Sequence, residues 1–177
     1  MRFFAWNMTV LVAMGALWLA SGTAREKPVV VTPSAQTDAV RSLEVKVAMG
    51  PGDVAARRDL AQAYLDAHAP GLAVSVVAAS PADVRETPAI QHVYARALVD
   101  EGRSGDALAA ERKVVAACTP ASDGTAPCDA WVLASATRRV EILQELVALG
   151  VEDAQAHPEA SAIAYQNATR EARLAVR

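Results

Sequence analysis

One pattern is written twice between Asp53 and Cys118, and it restricts the fold more than any other property of the chain. Asp53 and Thr87, both residue types that cap helix N-termini, stand 34 positions apart. The same step carries Leu60 to Tyr94, Ala61 to Ala95, Tyr64 to Leu98, Gly71 to Gly105 and Ala73 to Ala107. A step backwards sets Ala73, Val74 and Val77 over Ala39, Val40 and Leu43. Apolar residues recur at three and four inside each copy, as a helix buried on one face requires. A single helix hairpin cannot cover its own apolar face, so a repeat of this length implies hairpins stacked on one another. The expectation is an all-α chain, an antiparallel helix-hairpin array of about three repeats.

Helix boundaries follow from punctuation. A first helix is expected from Ser34 to Met49, with Ala39, Val40, Leu43 and Val47 inward, and Gly50-Pro51-Gly52 ends it. Asp53 caps the next, whose buried face comprises Val54, Leu60, Ala61, Tyr64 and Leu65. Pro70-Gly71 turns the chain into a partner helix through Ala79, and Ser80-Pro81-Ala82-Asp83 reads as a brief helical turn. Thr87-Pro88 starts a helix to Asp100, and Ser104 to Cys118 supplies its partner with Ala107, Leu108, Val114 and Val115 inward. After a polar loop, Thr119 to Pro127, Cys128-Asp129 opens a long helix that Gly150 ends, and a last helix runs from Pro158 to Val176.

The N-terminus carries a targeting signal. Arg2 is the only charge before Arg25, the run from Met8 to Ala20 is almost wholly apolar, and small residues follow through Ala24. Residues 1–24 fit a secretory signal peptide, or an anchor retained in the membrane if the apolar span is counted from Phe3. Either places the body of the protein outside the cytosol, in the periplasm or on the extracellular side. Residues 25–33 read as a linker, and 34–177 as one helical domain. Loss of Arg2 with the signal takes the net charge from −3 to −4. A mildly acidic chain without a basic run lacks the positive stripe that nucleic acid demands.

The period, with Leu60-Ala61 and Tyr64 in a first helix and Ala73 in a second, resembles a tetratricopeptide repeat. Tyr94-Ala95, Leu98, Gly102 and Ala107 take the same places in the second copy, and Asp129-Ala130-Trp131 looks like the entry to a third, displaced by the 119–127 insertion. Arg57 and Gln91 depart from the family by standing where a bulky aromatic is usual, as does Glu111. The resemblance implies a concave face lined by the first helices. On it would fall Arg58, Gln62, Leu65 and Asp66 from one copy and His92, Arg96, Val99 and Asp100 from the next. Of these, Arg58, Gln62, His92 and Arg96 are the expected partner-binding residues, because guanidinium offers a fixed fork of donors for a carboxylate or a peptide backbone.

The remaining chemistry is sparse. Cys118 and Cys128 are most simply a disulfide closing the inserted loop of an exported protein. His68, His92 and His157 have no metal-ligand spacing, and no nucleophile elbow, zinc-protease, P-loop or dinucleotide motif occurs. No cofactor, metal or catalytic residue is expected, and Trp131 reads as packing. The functional expectation is a non-catalytic envelope module that binds a protein or peptide partner on its concave face. The alternative is a scaffold of an envelope assembly, anchored by its N-terminal segment.

Overall fold

The computed structural model describes residues 35–120 and 128–175, with side chains for 37–120 and 128–169. The expected signal or anchor, the expected linker and most of the Thr119–Pro127 loop lie outside these residues. The described chain is all-α, with no strand among the described residues, and none of its helices is long and apolar enough to cross a membrane. In order it forms α1 (Ala35–Met49), α2 (Val54–Asp66), α3 (Pro70–Ala78), α4 (Ala82–Arg85), α5 (Pro88–Asp100), α6 (Ser104–Cys118), α7 (Ala130–Ala148) and α8 (Pro158–Ala175).

Some helix bounds fall 34 residues apart. That step separates α2 from α5 at both ends, and the starts of α3 and α6. The turns after α2 and α5 also share one hydrogen-bond pattern. After α2, His68 adopts the left-handed conformation, φ 55, its N–H donates to Leu65 O, and the Ala69 N–H donates to Tyr64 O. After α5, Gly102 (φ 72) donates to Val99 O and Arg103 to Leu98 O. After α7, Gly150 (φ 72) donates to Val147 O and Val151 to Leu146 O. All three are Schellman closures, which satisfy carbonyls at a helix end that would otherwise go unpaired. Copies differ in length where the sequence breaks: α3 stops after 9 residues, ahead of Pro81, whereas α6 runs for 15.

Capping explains some starts and not others. The Asp53 carboxylate accepts the Ala56 N–H at 2.9 Å, a bond worth about 1 kcal/mol. Thr87 makes no such bond, because its hydroxyl donates backward to Val84 O at 2.7 Å and stitches α4 to α5. There Pro88, at the first helical position, removes one orphan donor by having no N–H. Asp129 likewise makes no side-chain cap bond.

Each helix buries one face against its sequence neighbour, and α5 also meets α2 on one side and α7 on the other. One core cluster joins α2, α3, α4 and α5 through Ala61, Ala73, Val77, Val84 and Ile90. A second joins α5, α6, α7 and α8 through Leu98, Ala107, Leu143, Leu146 and Ala164. Ala61, Ala73, Ala95 and Ala107 have no exposed surface, so small side chains set the close approach of these helices. A third cluster, around Val114, Cys118 and Ala136, ties the end of α6 to the start of α7. There Cys118 and Cys128 form the expected disulfide, with Cα atoms 5.1 Å apart.

Two inward expectations are corrected. Ala39 is exposed, whereas Val40, Leu43 and Val47 of α1 are partly buried. Trp131 is 71% exposed in the first turn of α7, where its ring stands at right angles to that of His92.

Candidate functional site

α2 and α5 are in contact, which brings Gln62 of α2 to Arg96 of α5. These residues are 34 apart, and Arg96 Nη1 donates to Gln62 Oε1. The Gln62 amide nitrogen in turn donates to Asp66 Oδ1 at 2.6 Å. Arg58, also expected on this face, is exposed and forks onto its neighbour Asp59 at 2.7 and 3.0 Å. Leu65 is buried in the core.

Beyond Arg96 the face opens into a groove of about 460 Å³ between α5, α7 and α8. Val99, Ile142 and Leu146 make its apolar floor, and Arg96, Asp100 and Arg139 its charged rim. Tyr165 of α8 closes the far wall. Its hydroxyl accepts from Arg138 Nη2 at 2.7 Å, and the Arg138 guanidinium lies 5.3 Å from its ring centroid.

His92, the fourth expected partner-binding residue, takes a different position. It is buried, and its Nδ1 lies 2.9 Å from Oε2 of Glu111, a carboxylate with no exposed surface. His92 Nε2 lies 3.3 Å from the Ser135 hydroxyl, and the indole of Trp131 meets the imidazole edge-on at 6.0 Å. Glu111 Oε1 has no hydrogen-bond partner, and Arg139 Nη1 stands 3.7 Å from it. Burial lowers the Arg139 guanidinium from its ordinary pKa; Glu111 works against that shift, Arg96 adds to it and Asp100 opposes it. With Glu111 ionised, Nδ1 of His92 is the donor, which leaves Nε2 to accept from Ser135. α5, α6 and α7 are thus joined at one buried polar cluster whose Arg139 also edges the groove.

Three of the polar positions stand at one distance from a helix end. Arg57, Gln91 and Arg139 each stand eleven residues ahead of a left-handed residue (68 − 57, 102 − 91, 150 − 139). Arg57 donates from Nε to Pro51 O at 2.8 Å, and Gln91 from its amide to Arg85 O at 2.9 Å, each six residues back. Arg57 thereby holds the turn before α2 and also reaches Ser80 Oγ at 3.2 Å, while Gln91 holds the end of α4. α7 is longer at its N-terminal end, with Ala130–Ala148 spanning 19 residues against 13 in α5, and Arg139 turns instead to Glu111. Glu111 in turn holds the position of Val77, 34 residues earlier. Sequence reasoning missed Arg139 because the insertion hides its register, which counting back from Gly150 recovers.

Ser135, His92 and Glu111 stand in the order of nucleophile, base and orienting acid. Acyl transfer also needs donors for an oxyanion. The N–H groups around Ser135 lie inside α7, where the helix ladder consumes them. Among the described residues no three His, Cys, Asp or Glu side chains converge as a metal-ligand set. No protein-family model, no curated protein and no solved structure matches the chain.

Proposed function

We propose that this chain is an exported, tetratricopeptide-like interaction module that holds a peptide or a partner helix in the groove between α5, α7 and α8. The groove carries the reading. It is open, has an apolar floor flanked by guanidinium groups, and its volume falls within the roughly 300–1,000 Å³ of ligand-binding clefts. A helix face or a few residues of extended chain fill such a space, with side chains on the floor and polar groups at the rim. The repeat assignment is supported by the step of 34 between helix bounds, by the three matching Schellman closures and by the Gln62–Arg96 bond between equivalent positions. Stacked hairpins related by a small rotation would generate a concave surface on the first-helix side, and on this reading α5 and α7, which carry Arg96, Val99 and Arg139, are first helices.

A photo-crosslinking residue placed at Val99, compared with one at the exposed Leu72 of α3, tests this in cells that make the protein. A groove binder gives a discrete adduct from position 99 that Arg96→Glu abolishes while the helical circular dichroism is unchanged. Adducts only from position 72, or adducts indifferent to Arg96→Glu, would replace the groove reading with that of an envelope scaffold contacted on its outer surface.

A further inference from the structure

We infer that the groove takes an acidic stretch of peptide and that a proton on His92 sets how tightly the peptide is held. This rests on the groove being the recognition site, as proposed above.

The first half of the inference is charge complementarity. The whole chain carries a net charge of −3, yet the groove presents Arg96 and Arg139 against Asp100, with Arg138 behind the Tyr165 wall. Arg96 donates to the neutral amide of Gln62, so its charge is left for a ligand. Two guanidinium groups over an apolar floor suit carboxylate side chains interleaved with aliphatic ones.

The second half is the divided allegiance of Arg139. On one side it edges the groove; on the other it is a counter-charge to Glu111 at 3.7 Å. While His92 is neutral, the trio of His92, Glu111 and Arg139 sums to zero, and Arg139 is drawn inward by a carboxylate that has no access to water. Protonation of His92 gives Glu111 a charged partner already at hydrogen-bond distance, 2.9 Å. The trio then carries +1, the inward pull on Arg139 falls, and the guanidinium is available to an anion in the groove. Ser135, which donates to neutral His92 Nε2, can accept from it once that nitrogen carries a proton.

Several of the other charged groups around α5 have partners of their own. On α2, Arg58 pairs with Asp59 and Asp66 is held by Gln62. α3 carries no charged side chain, and on α4 Asp83 is exposed while Arg85 donates to Ala78 O. Lys113 of α6 takes Glu86, and on α5 itself Arg96 and Asp100 belong to the rim. Linkage then fixes the sign: a ligand that prefers the protonated state binds more tightly as pH falls, and its binding takes up protons.

The probe is a fluorescent nonapeptide alternating leucine with aspartate, compared with a twin carrying asparagine for aspartate. Anisotropy is read at about pH 8 and about pH 5.5, where aspartate remains ionised and an imidazole gains charge. The expected result is a Kd for the acidic peptide roughly 5–10-fold lower at the acid pH, weak pH-insensitive binding of the twin, and a flat profile in His92→Asn, which keeps a donor toward Glu111. In the unliganded wild-type protein, the Arg139 Nε–Hε resonance should shift along the same titration curve as the His92 ring. An Arg139 signal indifferent to that titration overturns the proton link whatever the groove binds. Acidic-peptide affinity that is independent of pH removes the gate and leaves the groove; equal binding of the twin removes the acidic specificity. If neither peptide binds at either pH, the groove reading fails, and the inference with it.

Discussion

Removing Arg139 should cost more stability than removing Glu111, although the two are partners. The reason is unequal access to water: Glu111 has no exposed side-chain surface, whereas the Arg139 side chain is 34% exposed. At 3.7 Å and an effective dielectric of about 20, the attraction between them is about 4–5 kcal/mol. Partial solvent screening of the exposed guanidinium takes about half of that away, so Arg139→Met should destabilise by about 2 kcal/mol by stranding a buried carboxylate. Glu111→Leu removes the buried charge, lets Arg139 extend into water, and loses one hydrogen bond to His92, about 1–3 kcal/mol. Leucine burial returns about as much, so the net expectation is about 0–1 kcal/mol. The double variant should then be no worse than Glu111→Leu alone. Urea unfolding followed by circular dichroism at about pH 8 measures all three, with the disulfide left intact. A larger loss for Glu111→Leu than for Arg139→Met, or additive losses in the double variant, would refute this account of the cluster.

Replacing Cys118 and Cys128 with serine should lower stability by about 3 kcal/mol, from the chain entropy of a bridge with a sequence separation of 10, and a thermal melt against wild type under non-reducing conditions reads it. His68→Gly should stabilise by about 0.5–1 kcal/mol in the same melt, since His68 is exposed at φ 55 and pays the left-handed penalty that Gly102 and Gly150 avoid. Gly102→Ala should do the reverse, because the added carbon would also lie 3.1 Å from the Asp153 side chain. Tyr64 should ionise at about pH 12, held up first by burial and then by its hydrogen bond to Glu44, so Glu44→Gln should lower that value only part of the way in a phenolate absorbance titration. Because its folded pKa lies above the ordinary 10.0, the stability Tyr64 contributes is complete below pH 10 and is lost as pH rises toward 12.

Much of the helical framework could be read from residue types whose effect is local. Gly50-Pro51-Gly52, Asp53, Pro70 and Pro88 act through their own backbone, and the helices begin and end beside them. The disulfide was legible because two thiols that close one short loop have few other partners. The buried cluster was not, since it depends on three helices meeting: His92, Glu111 and Arg139 each look like ordinary surface residues until packing removes water from two of them. Ala39 failed for a related reason. It matches Ala73 and Ala107 in spacing, but α1 has one packing neighbour where α3 and α6 have two, so the same residue stays in solvent. Thr87 had the right side chain for a cap and a better acceptor behind it.

The covalent tie between Cys118 and Cys128 crosses the very boundary that houses the buried carboxylate. A seam containing charge opens more readily than one of leucine and valine, so α7 and α8 are the part expected to breathe. Leashed at its first residues, the departing hairpin stays within reach of the surface it left, and re-docking becomes a local event rather than a diffusive search. Amide exchange in α7 should consequently be slower in the oxidised protein than in the reduced one, by more than in α2.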